Sequence, residues 1–319
     1  MKALLKSILS GTLLSYLRSC IFHHVKPIGG IKVIYQHCLM LKELGYPVYP
    51  LLMGQYEGNF FGFEVETKNY QDMKNSISKQ DVIVAAEFEP YDGLQFNEPL
   101  KIMFVQNWWG VDNRRKLEDR NKSYIEMGYD HVITCSDYCS QYVNKKMNIP
   151  VHTITNGIDL SLFTLKSSER EKNTVLAMSR KNPKDLARII ELTKNTNYSI
   201  KIVDGLSQSE LIKEYHSADI FLALGYPEGF SLPPLEAMAC GCVVIGFTGG
   251  AASEFMINGE TALVSPDGDC ERVADDLHRL YENEDLKEKL RRNGYEKASQ
   301  YSLDAMKKQL SKFYKEIVG

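Results

Sequence analysis

Short apolar runs alternate with longer amphipathic segments along most of the chain. In a run such as Val82–Ala85 the apolar residues are consecutive, which is typical of strands buried on both faces of a parallel sheet. Segments with apolar residues every three or four positions predict the intervening helices. In the first half the predicted strands are Cys20–His24, Tyr46–Met53, Asp81–Glu87, Lys101–Asn107, His131–Ser136 and Val151–Thr155. The predicted helices there are Gly30–Leu44, Tyr70–Lys79, Arg114–Met127 and Asp137–Met147.

The alternation continues in the second half, after a polar segment at Asp159–Asn173 that we interpret as a linker. The predicted strands there are Thr174–Ser179, Ser199–Val203, Ile220–Leu224, Val243–Phe247 and Ala262–Val264. The predicted helices are Asp185–Lys194, Ser209–His216, Leu232–Ala239, Ala251–Met256, Cys270–Glu282, Leu286–Ser299 and Leu303–Ile317. Buried strands that alternate with helices predict two successive doubly wound α/β domains.

Length and composition agree with this prediction. The chain has 319 residues, of which 44% are hydrophobic and 25% charged, values typical of globular proteins and not of disordered, collagen-like or coiled-coil chains. The formal net charge of -3 indicates no nucleic-acid partner. The odd count of 7 cysteines argues against a disulfide framework and predicts buried thiols in a reducing compartment, hence a cytoplasmic location.

The first twenty residues admit two interpretations. Met1–Cys20 is apolar with a few basic residues, and the sequence that follows it lacks the small residues of a signal-peptide cleavage site. It is therefore either a packing helix, which we favour, or a helix lying on a membrane surface. The longest uncharged run, Ala237–Ser253, contains four glycines and is a poor candidate for a membrane span.

Two glycines near the start of the chain are a first candidate for ligand binding. Gly29 and Gly30 stand at the start of a predicted helix, where backbone N–H groups can bind a phosphate. On this pair alone, a plain tight turn is the interpretation that we favour. The three-glycine dinucleotide fingerprint is missing, which disfavours an NAD-dependent dehydrogenase.

The segment Gly225–Gly241 is more specific. It reads as a strand end, a loop with Glu228, and a helix that carries Glu236 and that we expect Ser231 to cap. Prolines 233 and 234 fit only in the first helical turn, so the free amides lie around Gly229–Leu232. Two carboxylates beside an amide-rich helix start suit a ligand that carries hydroxyls and a phosphate.

This segment resembles the Glu-x7-Glu signature of the family 4 retaining glycosyltransferases, which have GT-B architecture. The match runs from Glu228 to Glu236 and continues through Ala237–Gly241. Other stretches similar to the family follow its order, namely Gly29-Gly30, Asn156–Asp159, Thr248–Gly250 with Glu254, and Asn258–Thr261. The resemblance runs from about Phe22 to the end of the chain and is strongest after Gly157.

The resemblance implies the domain arrangement. Two Rossmann-like, doubly wound parallel-sheet domains are expected to face one cleft, with residues 1–158 on the acceptor side and residues 159–301 binding the nucleotide sugar. Residues 302–319 are expected to form a helix that crosses back to the first domain. An apolar stripe supports that expectation; its members are Leu303, Met306, Leu310, Phe313 and Ile317.

The resemblance also implies roles for residues of the second domain. Glu228 would hold hydroxyls of the donor sugar and Glu236 the ribose hydroxyls. Arg180 and Lys184 would bind the diphosphate, with Lys181 competing for the role of Lys184; a solvated basic loop is the alternative. The full predicted donor-binding set is Gly29, Gly30, Gly229, Phe230, Ser231, Leu232, Glu236 and Gly250.

The clearest departure from the family lies in the first domain. Many members end the fourth strand with His-Asp, where this chain has Gln106 and Asn107. A similar Val-Gln pair occurs in the rhamnosyl-transferring branch, which the first half resembles. An amide cannot act as a general base, which fits a retaining reaction in which the leaving phosphate takes the acceptor proton. We assign Gln106 a catalytic role; a plain strand cap is the alternative.

Two further features point towards the acceptor. Trp108 and Trp109 follow a strand end and form either a stacking platform for an acceptor sugar or part of the core. The basic run Arg114–Lys122 is either a solvated helix face or a contact for an anionic lipid surface or phosphorylated acceptor.

Together these features predict a retaining, hexosyl-type glycosyltransferase of polysaccharide biosynthesis. It would move a sugar from a UDP, GDP or dTDP donor to a glycan or lipid-linked glycan, with no metal and no cofactor besides the donor. The expected location is cytoplasmic, with peripheral contact at the inner membrane face. The alternative is an inactive nucleotide-sugar-binding partner of another transferase.

Overall fold

The structure, a computed structural model, describes residues 19–22, 29–52, 63, 65–166 and 170–318. It divides into two compact units, residues 1–155 together with 306–319, and residues 156–305. The predicted N-terminal helix lies outside the described residues except at its last two positions, which belong to a strand. Within the described part of the chain, no helix combines the length and apolarity that a membrane span requires.

The first unit contains a parallel sheet. Its strands are β1 (Ser19–Phe22), β2 (Pro50–Leu52), β3 (Lys68–Asn69), β4 (Val82–Ala86), β5 (Leu100–Val105), β6 (His131–Thr134) and β7 (His152–Thr153). Neighbouring strands pair in the order β3-β2-β1-β4-β5-β6-β7, which is the Rossmann order extended by one strand. The order reverses between β1 and β4, the point at which such sheets bind ligands.

Five α-helices of this unit connect or follow these strands in the described residues. They are α1 (Gly29–Glu43), α2 (Tyr70–Met73), α3 (Trp108–Asn113), α4 (Tyr124–Met127) and α5 (Asp137–Met147). The core lies between sheet and helices, where Met103, Val105 and Val132 are fully buried. Strand β3 was not predicted. Helix α2 begins at Tyr70 as predicted but ends at Met73, six residues before the predicted end at Lys79.

The predicted helix Arg114–Met127 is wrong. The segment contains a 3-10 turn at Leu117–Asp119 and the short helix α4. The buried Arg115 guanidinium donates to the carbonyl oxygens of Val111 (2.7 Å) and Asp119 (3.0 Å) and organises a loop. Ser123 then starts α4 with a capping box. The apparent helical period came from residues whose backbone is held by this arginine.

The last helix, α11 (Leu303–Val318), carries residues 306–318 into the first unit. Met306, Leu310 and Phe313 on its apolar stripe are buried. Phe313 packs on His152 with 4.9 Å between ring centroids, and Lys307 pairs with Glu43 at 2.5 Å. Burial of this stripe provides the main reason for the helix to dock on the first unit.

The second unit repeats the parallel arrangement. Its strands are β8 (Glu171–Met178), β9 (Ser199–Val203), β10 (Ala218–Ala223), β11 (Val243–Gly246) and β12 (Leu263–Val264). Its other α-helices are α6 (Pro183–Thr193), α7 (Gln208–Ser217), α8 (Leu232–Ala239), α9 (Cys270–Tyr281) and α10 (Glu284–Ala298). The predicted helix Ala251–Met256 is instead a 3-10 turn, Ala251–Glu254.

The second sheet has the order β12-β11-β10-β8-β9, which is the flavodoxin-like order. The reversal lies between β8 and β10. Val175, Ile220 and Val243 are fully buried in the core of this unit. The two predicted α/β domains with doubly wound parallel sheets are therefore confirmed.

Candidate active site

The candidate site of the second unit lies at the carboxyl edge of its sheet, between β8 and β10. The chain leaves β8 after Met178 and enters α6 through Ser179–Asn182. It leaves β10 after Ala223 and enters α8 through Leu224–Ser231. The order of the strands reverses here, which brings the two loops together and makes this the expected ligand site.

Asn182 links these two loops. Its φ of +48° is left-handed, which asparagine tolerates better than most residues, and Pro183 follows at the first helical position. Its side-chain Nδ2 donates to the carbonyl oxygens of Leu224 at 2.7 Å and Tyr226 at 3.4 Å. The loop after β8 is thereby fixed to the loop after β10.

Glu228 is enclosed by two glycines. Its backbone N–H donates to Gly249 O at 2.8 Å. A Cβ atom on Gly225 would lie 2.7 Å from Glu228 Oε1, and one on Gly249 would lie 2.5 Å from Gly225 O. Gly249 also has a φ of +59°, which favours glycine. Any larger residue at either position would displace the Glu228 side chain or its loop.

A cation completes the surroundings of Glu228. Lys181 Nζ forms an ion pair with Glu228 Oε1, with 38% and 17% of the two side chains exposed. Arg180 and Lys184, the predicted diphosphate ligands, are both exposed, and Lys184 lies in the first turn of α6. Of the three basic residues, Lys181 is the one that contacts Glu228.

Glu236 lies in a different environment. It sits in the second turn of α8 and is only 4% exposed. The hydroxyl of Tyr215 on α7 donates to its Oε2 at 3.5 Å. Burial, together with the nearby Glu236 charge, raises the pKa of Tyr215. Tyr215 was not identified from the sequence, because nothing in its spacing connects it with the Glu-x7-Glu segment.

The predicted capping role of Ser231 is wrong. Its φ is +67° and its side chain makes no capping hydrogen bond. A capping side chain accepts from the second or third residue of a helix, and in α8 these positions are Pro233 and Pro234, which have no N–H. The remaining amides of this helix start belong to Gly229, Phe230, Ser231 and Leu232.

The side chains of Phe230 and Leu232 are buried, as is Gly229. Phe230 packs on Phe255 and Tyr301 with ring centroids 5.6 Å and 5.8 Å away. Its side chain therefore anchors the loop. Gly250, with φ +104°, lies beside Glu228 through a parallel bridge.

The first unit brings two of its predicted site residues together. A Cβ atom on Gly30, in the first turn of α1, would lie 3.3 Å from Gln106 Oε1 and 3.5 Å from its Nε2. No atom of the described residues lies within 4 Å of a Cβ added at Gly29. The amide oxygen and nitrogen of Gln106 are buried and make no hydrogen bond to the described residues. A buried amide without such bonds is a costly arrangement that usually has a purpose.

Glu87 belongs to the same edge and was not identified from the sequence. It follows β4 directly, is 3% exposed, and accepts the Gln106 N–H with Oε2 at 2.9 Å. Burial raises its pKa to about 7, against the opposing effect of the Gln106 and Asn107 amides. A carboxylate at the end of a strand beside the reversal point was the signal that could have found it.

The two tryptophans begin α3. Asn107 caps this helix, accepting the Trp109 N–H with Oδ1 at 3.0 Å. Trp108 packs on Tyr142 with 5.3 Å between ring centroids. Trp109 is 41% exposed, and the Arg114 guanidinium lies 5.8 Å from its ring centroid. Trp108 therefore packs within the unit, and Trp109 is the ring available to a ligand.

A family model matches the second half of this chain, and known sequences are similar over larger and smaller parts of it. Residues 151–297 match the family model described as Glycosyl transferases group 1. The Staphylococcus aureus capsular polysaccharide biosynthesis glycosyltransferase CapM is 24% identical over 265 residues, 80% of this chain and 62% of that protein. The D-inositol 3-phosphate glycosyltransferase of Corynebacterium efficiens is 31% identical over 117 residues, 37% of this chain and 28% of that protein. The chain thus spans less than two thirds of either relative's length.

Solved structures are similar over nearly the whole chain. Anabaena HepE in complex with UDP-glucose has a TM-score of 0.75 at 13% identity, with 94% of this chain and 100% of that chain covered. The sucrose-phosphate synthase from Thermosynechococcus elongatus has a TM-score of 0.70 at 16% identity, with 95% and 99% covered. This chain therefore has the GT-B fold, and its residues 151–297 match the glycosyl transferases group 1 family model.

Proposed function

We propose that the protein is a retaining glycosyltransferase of family 4 that uses a nucleotide-diphosphate sugar as donor. The observation that carries the proposal is the position of Glu228 at the reversal point of the second sheet, held by Gly225, Gly249 and Lys181. A carboxylate fixed in this way can accept hydrogen bonds from hydroxyls of the donor sugar. Because it is ion-paired, it is better suited to holding the sugar than to attacking it.

The diphosphate would bind in front of α8. The backbone amides of Gly229–Leu232 precede two prolines, and amides at a helix start favour an anion. Arg180 and Lys184 are exposed on the adjoining loop and would offset the charge of the leaving group. We propose that these cations replace a metal ion, so that turnover persists in EDTA.

The buried Glu236 would serve the ribose. Residue Glu236 is 4% exposed, and its carboxylate accepts a hydrogen bond from Tyr215. This hydrogen bond orients the carboxylate as an acceptor for a ligand hydroxyl. Tyr215 is then a support for this carboxylate. A buried charged hydrogen bond contributes ~1.5–3 kcal/mol, which makes Glu236 a determinant of nucleotide affinity.

The donor sugar and acceptor follow from the relatives' names as proposals. CapM is named for capsular polysaccharide biosynthesis, and the HepE structure contains UDP-glucose. We propose a UDP-linked hexose as the first donor to test, before GDP and dTDP sugars and rhamnosyl donors. The acceptor would be a glycan or lipid-linked glycan of polysaccharide biosynthesis.

The decisive experiment measures binding and transfer separately. A thermal-shift panel of UDP, GDP and dTDP sugars identifies the donor, because a ligand that binds the folded state raises the melting temperature. NMR of the product made from that donor then gives the anomeric configuration, which we expect to be the same as in the donor. An inverted product contradicts the retaining mechanism. Donor binding without hydrolysis or transfer would instead support an inactive binding partner.

The acceptor would lie at the cytoplasmic membrane face. Leu117 is 79% exposed on the loop organised by Arg115, and Arg114, Lys116 and Arg120 are exposed beside it. An exposed apolar tip flanked by basic residues suits an anionic lipid surface. Co-sedimentation with anionic vesicles should weaken in Leu117→Ser, and unchanged binding would remove this loop from the proposal.

A further inference from the structure

Glu87 connects the structural elements that place Gln106. Its backbone N–H donates to Phe104 O at 3.1 Å and its carboxyl Oε2 accepts the Gln106 N–H at 2.9 Å. Glu87 thus holds both the end of strand β5, at Phe104, and the first residue after it, Gln106. Gly110 in α3 approaches so closely that an added Cβ would lie 2.7 Å from Glu87 Cγ.

We infer that Glu87 is a positioning residue that fixes the turn at Gln106 and Asn107. By fixing this turn, Glu87 also fixes the contact of the Gln106 amide with Gly30 and the position at which α3 starts. Gln106 reaches Gly30 by its side chain while its backbone is held by Glu87. Asn107, the next residue, caps α3. The consequence for catalysis rests on the proposed glycosyltransferase function and on the catalytic role predicted for Gln106 from the sequence, whereas the consequence for the turn does not.

The environment of Glu87 makes the turn sensitive to pH. Ionised, Glu87 accepts strong hydrogen bonds from the turn amides; protonated, it is a weaker acceptor. Its pKa of about 7 places this change near neutral pH, where few groups titrate.

Among the residues that the structure describes, the other charged and titratable groups acting on Glu87 or packed beside its strand keep their charge state near neutral pH. Arg114, beyond the end of α3, acts on the Glu87 carboxylate as a positive charge at all relevant pH values. Burial raises the pKa of Tyr124 on α4 and of Cys135 after β6, so both stay neutral. His37 of α1, stacked on Phe104, has its pKa lowered to about 3 by burial.

The chain contains its own reporter of this turn. Its 2 tryptophans are Trp108 and Trp109, the first residues of α3 and directly downstream of the turn. Intrinsic tryptophan fluorescence therefore reports this part of the protein. Near Trp108, Tyr142 has its pKa raised to about 12, by burial foremost, and Asp112 has its pKa lowered through Lys146 and Tyr142 despite partial burial.

The test is a fluorescence titration of the full chain, from about pH 5.5 to 8.5, which spans the transition expected for a group of this pKa. Wild type should show a transition with a midpoint near the pKa of Glu87, and Glu87→Gln should lack it. Glu118→Gln, which makes the same change at an exposed carboxylate of the 3-10 turn, is the matched control and should keep the transition. A flat wild-type curve, or the same transition in Glu87→Gln, overturns the inference.

A second measurement connects the turn to activity. Glu87→Gln should lower kcat about tenfold with little change in the donor KM, as expected for an effect on positioning. It should also remove the step near neutral pH from the kcat profile. If the fluorescence transition depends on Glu87 but kcat does not, the positioning of the turn stands and the catalytic role of Gln106 fails. Were no donor turned over at all, the fluorescence titration would still decide the inference.

Discussion

Glu87 and Glu228 occupy corresponding places in the two units, each after a central strand at the carboxyl edge of a parallel sheet. Each is also enclosed by glycine, Gly110 in one case and Gly225 with Gly249 in the other. Their surroundings differ. Glu228 is partly exposed and paired with Lys181, whereas Glu87 is buried and accepts a backbone N–H. Corresponding positions in similar folds therefore hold one carboxylate at the candidate ligand site and one that accepts a hydrogen bond from the backbone.

The difference follows from what each loop can supply. In the second unit the loop after β8 carries three basic residues, and Asn182 holds that loop against the loop after β10. In the first unit Glu87 is surrounded by Gly110, Phe104 and the amide of Gln106. When a carboxyl group is buried and no cation contacts it, its neutral form is favoured over its charged form. This explains the raised pKa of Glu87.

The largest expected effect tests whether the glycine enclosure of Glu228 is required. Gly249→Ala should destabilise the protein by about 3 kcal/mol, because the new Cβ meets backbone and the left-handed conformation adds strain. Gly259→Ala is the control, since Gly259 has φ +74° with nothing within 4 Å of its added Cβ. Chemical denaturation gives the free energy of unfolding of each variant. The difference between the two variants is the effect of the steric contact, because both carry the strain of a positive φ. If both variants lose the same free energy of unfolding, the close contact that the new Cβ makes at position 249 does not destabilise the protein.

The second prediction separates the two carboxylates of the Glu-x7-Glu segment. Glu228→Ala should lower turnover by about 100-fold and nucleotide affinity much less, since loss of a charged hydrogen bond to the reacting sugar costs ~1.5–3 kcal/mol. Glu236→Ala should mainly weaken nucleotide binding. Isothermal titration with the nucleotide diphosphate and steady-state kinetics provide the two measurements. Equal effects on affinity alone at both positions would contradict the assignment.

The third prediction uses the raised pKa of Glu87. Because the folded pKa, about 7, lies above the ordinary value of 4.5, the stabilisation is present below the unfolded pKa and lost as pH rises through the folded one. Relative to Glu87→Gln, wild type should lose roughly 2–3 kcal/mol between about pH 4.5 and 7.5, at 1.36 kcal/mol per pKa unit. Denaturation at both pH values measures this difference, and Glu118→Gln, which keeps Glu87, should lose the same free energy of unfolding as wild type between them. A pH-independent difference would contradict burial as the cause.

The fold was largely predictable from the sequence because its signals are local. Runs such as Val82–Ala86 and Val243–Gly246 are apolar on consecutive positions and short, a pattern that favours buried strands, and both are strands. Local signals failed at Arg114–Met127, where a buried arginine replaces helical hydrogen bonds with its own. They succeeded for Leu232–Ala239, whose two prolines fix where the helix begins.

The candidate site was less predictable because its contacts join distant segments. Glu228 was found through its motif, but the identity of its cation was not, because Lys181 and Lys184 differ by less than one helical turn in sequence. Asn182 adopts a left-handed conformation before Pro183, so that Lys181 lies in the loop after β8 and Lys184 in the first turn of α6. Glu87 belongs to no sequence motif. It was missed because its partner, the backbone N–H of Gln106, lies nineteen residues further along the chain.

The smallest expected effect decides between those two lysines. Lys181→Ala should lower kcat about tenfold, because the Glu228 carboxylate loses the ion pair that orients it. Lys184→Ala should instead act on the donor KM and on the salt dependence of binding, as expected of an exposed cation facing a diphosphate. Lys181→Arg, which keeps the charge, should recover part of the loss. If Lys184→Ala has the larger effect on kcat and Lys181→Ala has none, the ion pair between Lys181 and Glu228 does not contribute to turnover. Both variants should keep the wild-type melting temperature, since each lysine is at least partly exposed, so a loss of turnover reports the site rather than the fold.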